Sequence, residues 1–263
     1  MIIPYFDDIG WFYQSAREAL LNAHFPFLGI TASIVWLHQG PLWTYMVIPA
    51  FWISHFNPLS PVVFIIFINL FLFPSFYYLI SILFGKKTAI LSTMVLIFNP
   101  WLLMHLRTPY HTAPIPLFEV IFLLCLIKQR DFLTGLFLGM LYQLHLLTFI
   151  FWPLMFIKLR PKQLVGFLLG IFPFIVSGPT QTFGIFVWIA KHLFEGFGRT
   201  GLASEAYRVV LFIPALIFLS FMTHKLPKLL MIIVYISLLI FSNLSFDINK
   251  YAPFYPQYSD RIE

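Results

Sequence analysis

The stretch SPVVFIIFINLFLFPSFYYLISILF, residues 60–84, contains no Asp, Glu, Lys or Arg and decides the fold class. A transmembrane helix needs about 20 consecutive apolar residues, and this stretch is long enough to cross a bilayer. The whole chain has the same character, since 60% of its 263 residues are hydrophobic, 10% are charged and the mean hydropathy is +0.88. Soluble domains have about 25% charged residues. The composition therefore predicts a membrane protein.

Seven or eight hydrophobic segments can be marked along the chain. They lie at about 41–56, 60–84, 88–106, 113–128, 132–157, 163–178, 207–223 and 227–246. The segment 132–157 is expected to be two short helices that meet near His145, and 41–56 is expected to be a partial or tilted insertion. The predicted fold class is all-α: a polytopic helical membrane bundle over residues 41–246, followed by a polar tail at 247–263.

Short basic clusters separate several of these segments. They are Lys86-Lys87, Lys128 with Arg130, Lys158-Arg160-Lys162, and Lys225 with Lys228. Cytoplasmic loops have such an excess of Lys and Arg, so the remaining loops, including 105–116, are expected to face outward. No contiguous basic face is present, which excludes nucleic-acid binding. The single Cys125 predicts neither a disulfide nor a thiolate metal site.

The N-terminal stretch FDDIGWFYQSAREAL, residues 6–20, predicts an amphipathic helix rather than a span. Its apolar side is predicted to hold Trp11, Phe12, Ala16, Ala19, Leu20 and Ala23, and its polar side Gln14, Arg17, Glu18 and Asn22. Such a helix is expected to lie in the membrane interface, within an external region at residues 1–40. In the simplest interpretation, Asp7 or Asp8 is its N-cap.

Ionisable residues are scarce in the hydrophobic part of the chain, so each is a candidate functional group. The richest cluster, LMHLRTPYHTAPIPLFE at 103–119, contains His105, Arg107, Tyr110, His111 and Glu119. Arg107 and His111 lie where one predicted helix ends and the next begins, and a guanidinium there can bind a phosphate bidentately. Contact of Arg107 with lipid head groups is the alternative. Glu119 is expected to make a hydrogen bond inside the bundle, and His145 is either a hydrogen-bonded bundle residue or a phosphate contact.

The order of these features resembles the polyprenyl-phosphate-dependent glycosyltransferases of the GT-C class, in particular bacterial relatives of protein O-mannosyltransferases and of lipid A aminoarabinose transferases. That family has an acidic pair or single Asp in its first external loop, then an amphipathic helix and a Pro-Leu start to the next helix. These parts read here FDDIGWFYQSAREALLNAH at 6–24 and HQGPLWTYMVIPAF at 38–51. The family's outer corner is matched in part by HLRTPYHTAPIPLFE at 105–119, and its polar residue between two short helices, often Lys, is His145. The resemblance covers roughly residues 5–195.

The resemblance implies that a sugar is transferred, with inversion, from a polyprenyl phosphate to an acceptor hydroxyl at the outer face of the bacterial cytoplasmic membrane. It implies that Asp7 or Asp8 is the general base, while its neighbour orients the acceptor or holds a divalent cation such as Mg²⁺ or Mn²⁺. Arg107, with His111, would hold the lipid phosphate, and His145 is a weaker candidate for that contact. The implied partners are the lipid-linked donor, a lipid, glycan or protein acceptor, and membrane lipids.

Two features depart from the family pattern. The family has a spanning helix before its acidic loop, for which there is no room ahead of Asp7, and the corner has His111 and Glu119 where the family often has an Asp. The chain is therefore expected to be a fragment of a longer enzyme. Two other classes stay open: a transporter or lipid flippase, favoured by broken helices and buried His and Glu, and a non-catalytic membrane subunit in which Asp7 and Asp8 only cap a helix.

Overall fold

The computed structural model describes residues 7–32, 36–157, 159–184, 186–187 and 204–244. In this part of the chain, secondary structure is helical apart from one isolated antiparallel bridge between Thr31 and His38. The all-α prediction is therefore confirmed. The predicted polar tail at 247–263 lies outside the described residues, as does the side chain of Asp7.

The described residues form fourteen α-helices and one 3-10 helix. The first seven are α1 Asp7–Asn22, α2 Leu42–Ser54, α3 Ser60–Leu70, α4 Leu72–Phe84, α5 Lys86–Phe98, α6 Pro100–Leu106 and α7 Ile115–Ile127. They are followed by α8 Asp131–Leu144, the 3-10 helix Leu146–Phe151, α9 Trp152–Phe156, α10 Pro161–Gly170, α11 Phe172–Ser177, α12 Pro179–Thr182, α13 Ser204–Thr223 and α14 Lys228–Leu244.

By length and composition, one continuous helical stretch in the described residues can cross a membrane, namely α3 with α4 at Ser60–Phe84. A second candidate is α5 with α6, whose axes bend by 69°. The bend lies at Asn99, which is extended because the following residue, Pro100, disfavours a helical conformation there. The predicted segment 88–106 is thus broken. The other described apolar helices, among them Arg208–Thr223 within α13, have 10–17 residues in the part searched and do not pass the same test.

Further breaks divide the later segments. The predicted break at His145 is confirmed, because that residue is extended (φ −158°, ψ 129°) between α8 and the 3-10 helix. The segment predicted at 163–178 is divided at Ile171 into α10 and α11, with Pro173 in the first turn of α11. The segment at 41–56 corresponds to α2, whose 13 residues extend about 20 Å, less than the roughly 30 Å of a bilayer core.

Buried apolar side chains form two clusters. The first joins α1, α2, α8 and the 3-10 helix around residues such as Phe12, Trp43 and Tyr142. The second joins α4, α5, α13 and α14 around residues such as Phe76 and Tyr235. Side chains of α7 and of α13 belong to both clusters. These two helices therefore hold the two parts of the bundle together.

Helices α8 and α10 pack through glycines. Gly135 and Gly139 of α8 lie against the backbone of α10, and Gly166 and Gly170 of α10 lie against the backbone of α8. A Cβ atom at any of the four would overlap backbone atoms of the facing helix. This is the small-residue spacing that lets membrane helices approach closely. At one end of the pair, Arg160 forms an ion pair of 2.9 Å with Asp131.

Helix α1 packs on the bundle through its predicted apolar side. Its buried apolar side chains are Ile9, Phe12, Tyr13, Ala16 and Ala19. This side meets α2 and the first cluster, for example where the ring of Tyr13 lies edge-on to that of Phe51 at 5.0 Å, so protein covers it instead of a membrane interface. Two residues of the predicted apolar side do not lie on it: Trp11 is 37% exposed, and Ala23 is exposed and follows the last residue of the helix, Asn22. The structure describes this helix from Asp7 onward, so an N-cap at Asp7 or Asp8 stays a prediction.

Candidate functional site

The connection between α6 and α7, residues 107–114, contains three of the predicted polar residues and is called here the corner. Asn69 of α3 joins its two ends, because Nδ2 donates to the carbonyl of Leu106 at 2.8 Å and to that of Ala113 at 3.2 Å. Asn69 is buried, and buried backbone carbonyls need such partners. The sequence did not predict this role, although a lone amide in the apolar stretch 60–84 was an available signal.

The carboxylate of Asp8 reaches the corner. Tyr110 Oη donates a hydrogen bond to Asp8 Oδ2 at 2.8 Å, although the two residues are 102 positions apart in the sequence. Burial, followed by the charge of Asp8 and this hydrogen bond, raises the pKa of Tyr110. The phenol therefore stays protonated at neutral pH and acts as the donor. The structure thus places a predicted site carboxylate at the corner.

His111 and His145 lie side by side. Their ring planes are parallel within 4° and their centroids are 5.8 Å apart. The ring of His111 also packs on Tyr110 at 4.1 Å and on Phe12 at 5.4 Å, and its Nδ1 has no hydrogen-bond partner among the described residues. Nδ1 of His145 accepts the backbone N–H of Leu147 at 3.1 Å, which caps the 3-10 helix. Both predicted histidines therefore lie on the side of the corner where Tyr110 meets α1.

We expect acid to destabilise the protein through His111. Burial, with smaller effects from the nearby His145 and His105, lowers the pKa of His111 well below its usual range. As the pH falls below about 6.5, histidine in the unfolded chain takes up its proton first. The free energy of unfolding should therefore decrease with falling pH below about 6.5, and His111 should not affect it above that pH. Thermal unfolding at about pH 7.5 and about pH 5 measures this difference.

Two phenylalanine variants separate this effect from general acid sensitivity. His111→Phe keeps a buried ring and removes the titrating nitrogen, so it should lose less stability between the two pH values than the wild type. His24→Phe removes an exposed histidine in the loop after α1 and should lose as much stability as the wild type. Equal acid sensitivity in His111→Phe and the wild type would contradict the expectation.

Arg107 borders a cavity of about 430 Å³ between α3, α4 and α6. The apolar walls are formed by Ile66, Leu70, Phe73, Leu103, Met104 and Leu106. Arg107 is exposed, and no hydrogen bond or ion pair between it and Asp8 is found in the described part of the chain. An apolar cavity with a cation at its edge suits a ligand with an apolar chain and an anionic head. The predicted site residues therefore divide between two sides of the corner.

Glu119 is buried in α7, and within the part of the chain that the structure describes neither of its carboxylate oxygens has a hydrogen-bond partner. The predicted hydrogen bond inside the bundle is therefore wrong. Residues one turn away on its helix, Ile115 and Phe122, belong to the apolar core and offer no donor. No group of three or more His, Cys, Asp or Glu side chains among the described residues is placed to hold a metal ion. A cation at Asp7 and Asp8 stays a prediction.

Comparison with known protein families, with curated proteins and with solved structures finds no match to this chain. The function is therefore inferred from the site. The protein is helical, and at the connection between α6 and α7 it has a carboxylate of α1 and a histidine pair on one side and an arginine beside an apolar cavity on the other.

Proposed function

We propose that this chain belongs to a membrane glycosyltransferase that moves a sugar from a polyprenyl phosphate to an acceptor hydroxyl, with inversion, at the outer face of the bacterial cytoplasmic membrane. The main support is the hydrogen bond between Tyr110 and Asp8. It brings a carboxylate to the same short corner that holds Arg107 and the apolar cavity. A base and a lipid-phosphate site are the two parts that this reaction needs.

Asp8 is the proposed general base. The acceptor hydroxyl transfers its proton to the carboxylate of Asp8 while its oxygen attacks the anomeric carbon of the sugar. The bond between that carbon and the phosphate oxygen breaks, and the polyprenyl phosphate leaves with the electron pair. The carboxylate of Asp8 lies near the N-terminal end of the described part of α1, where the helix dipole interacts favourably with negative charge.

Arg107 is the proposed partner of the donor phosphate. A guanidinium can bind two phosphate oxygens at once, and the adjoining apolar walls can receive the isoprenoid chain. His111 and His145 lie on the Asp8 side of the corner, so they are proposed to border the sugar, while the phosphate lies toward Arg107.

A location in the membrane is supported by the apolar surface. Ser60–Phe84 is long and apolar enough to cross a bilayer. Large apolar side chains are also more than half exposed outside this stretch, for example Trp52, Ile53, Leu229 and Phe241. Extended apolar surface of this kind is rare in water. We therefore propose that the shorter apolar helices insert beside Ser60–Phe84, in a polytopic arrangement.

The test of this function is a transfer assay in nanodiscs with synthetic farnesyl phosphates that bear radiolabelled mannose or glucose. Lipid, glycan and peptide acceptors are supplied in turn, and free farnesyl phosphate and labelled acceptor are quantified. Donor-dependent labelling of one acceptor class, absent after heat inactivation, is expected. If no donor is consumed with any acceptor class, the proposal is wrong.

We expect Arg107→Gln to weaken the binding of farnesyl phosphate by about 10- to 100-fold, because a hydrogen bond to a charged group contributes about 1.5–3 kcal/mol. Farnesol has the same chain without the charge, and its binding should not change. Arg130→Gln removes an exposed arginine at the far end of α7 and is the matched control. Equal loss of farnesol binding, or equal loss in Arg130→Gln, would show that Arg107 does not bind the phosphate.

A transporter or lipid flippase is the second candidate, and the unpartnered Glu119 favours it. Buried ionisable groups in membrane helices often belong to ion or proton pathways. Proteoliposomes containing the protein would then take up a labelled substrate or move a labelled lipid between leaflets without forming a covalent product. Loss of that movement in Glu119→Gln would support transport over sugar transfer.

A further inference from the structure

A hydrogen bond from Tyr110 Oη to Asp8 Oδ2, 2.8 Å long, connects α1 with the corner. An ionised carboxylate accepts hydrogen bonds at both oxygens. The phenol takes one acceptor position of Oδ2, and no hydrogen bond to Oδ1 is found among the described residues. The contact therefore favours Oδ1 as the oxygen of Asp8 that acts on a substrate.

The phenol of Tyr110 is itself held from several directions. Its ring packs on His111 at 4.1 Å and edge-on to Phe12 at 6.1 Å. Its backbone N–H donates to the carbonyl of Thr108 at 2.8 Å, and its own carbonyl accepts the N–H of Ala113 at 2.9 Å. Because both ring and backbone are fixed, the hydroxyl is a donor whose position is set before any substrate binds.

We propose that Tyr110 positions the general base, Asp8. The phenol holds Oδ2 of Asp8 so that Oδ1 receives the proton of the acceptor hydroxyl. This inference rests on the function proposed above. During transfer the acceptor proton moves to Oδ1, the acceptor oxygen bonds to the anomeric carbon, and the bond from that carbon to the phosphate oxygen breaks, so that the polyprenyl phosphate leaves with the electron pair. Tyr110 keeps its own proton throughout. Without the phenol, the carboxylate can rotate about its side-chain bonds, and fewer encounters have the geometry needed for proton transfer.

The first test is Tyr110→Phe, measured with the farnesyl-phosphate-linked sugar that the wild type consumes. We expect kcat to fall by about 10- to 100-fold and KM to change by less than about twofold, because the substrate contacts are retained. Tyr13→Phe is the matched control on α1, since it removes a hydroxyl that donates to the carbonyl of Pro58 at 3.1 Å. It should keep the wild-type kcat.

The second test repeats Tyr110→Phe in an Asp8→Asn background. A positioning residue acts through Asp8, so the further loss of kcat should disappear once the base is absent. A purely structural role would cost the same factor in both backgrounds, and that result would overturn the inference. So would a Tyr110→Phe enzyme with the wild-type kcat while Asp8→Asn is inactive. If Asp8→Asn itself keeps the wild-type kcat, Asp8 is not the base and the role of Tyr110 fails, whereas the proposed function fails only if the wild type transfers no sugar.

Discussion

Replacing Asp8 with Asn is expected to lower kcat for sugar transfer by about 10²- to 10⁴-fold, the usual contribution of a general base. The amide keeps the size of the side chain and can still accept a hydrogen bond from Tyr110, whose hydroxyl lies 2.8 Å from Asp8 Oδ2 in the wild type. It cannot take up the acceptor proton. Because the fold should survive, the loss is expected in kcat, with the melting temperature close to that of the wild type.

Two further variants test whether the loss of kcat is specific to Asp8. Glu18→Gln makes the same carboxylate-to-amide change on the exposed side of α1, where Glu18 accepts a hydrogen bond from Gln14 Nε2 at 3.0 Å, and it should keep full activity. Asp7→Asn is made in parallel because the resemblance allows either residue of the pair to be the base. Full activity in the Asp7→Asn, Asp8→Asn double variant would rule out a carboxylate base at this position.

Replacing Gly135 with Ala is expected to reduce the free energy of unfolding by about 1–3 kcal/mol or more, the range for overpacked cores. In an isolated helix the same change is favourable by about 1 kcal/mol. Here the added Cβ would overlap the carbonyl oxygen of Gln163 on α10, and the atom in the way is backbone, which cannot rotate aside. The two helices must therefore separate. Gly166→Ala should act in the same way through the carbonyl of Phe132.

Thermal and denaturant unfolding in detergent measure this loss. Leu133→Ala, two positions from Gly135 on the same helix, changes a 39%-exposed side chain and should cost much less. If Gly135→Ala is as stable as the wild type, α8 and α10 do not approach as closely as the structure describes. The sign of the change is the decisive quantity, because helix propensity and interhelical packing predict opposite results.

Local features of the fold could be predicted from the sequence. The apolar stretch 60–84 identified the longest helical stretch, and the lone His145 in an apolar segment identified the break after α8. Both depend on properties of neighbouring residues. The bend at Asn99 could have been predicted on the same basis, since Pro100 follows it.

The site depends on contacts between distant residues, which periodicity does not reveal. Asp8 and Arg107 were predicted as candidates by residue type, but nothing local indicates that Tyr110 would bond to Asp8 or that Arg107 would face an apolar cavity. For Glu119 the sequence predicted a contact that the structure does not contain in its described part. A polar residue in an apolar helix was expected to have a partner, and the surrounding core supplies none.

The hydrogen bonds from Asn69 to Leu106 and Ala113 affect the order in which contacts form as the chain folds. Asn69 is 37 and 44 positions from the two residues it joins, so these hydrogen bonds cost less loop entropy than a contact across 102 positions. The Tyr110–Asp8 contact closes a much longer loop and should form later. On the proposed function, a newly made chain passes through a stage that can hold a lipid phosphate before it has a base. At that stage a donor can bind without transferring its sugar.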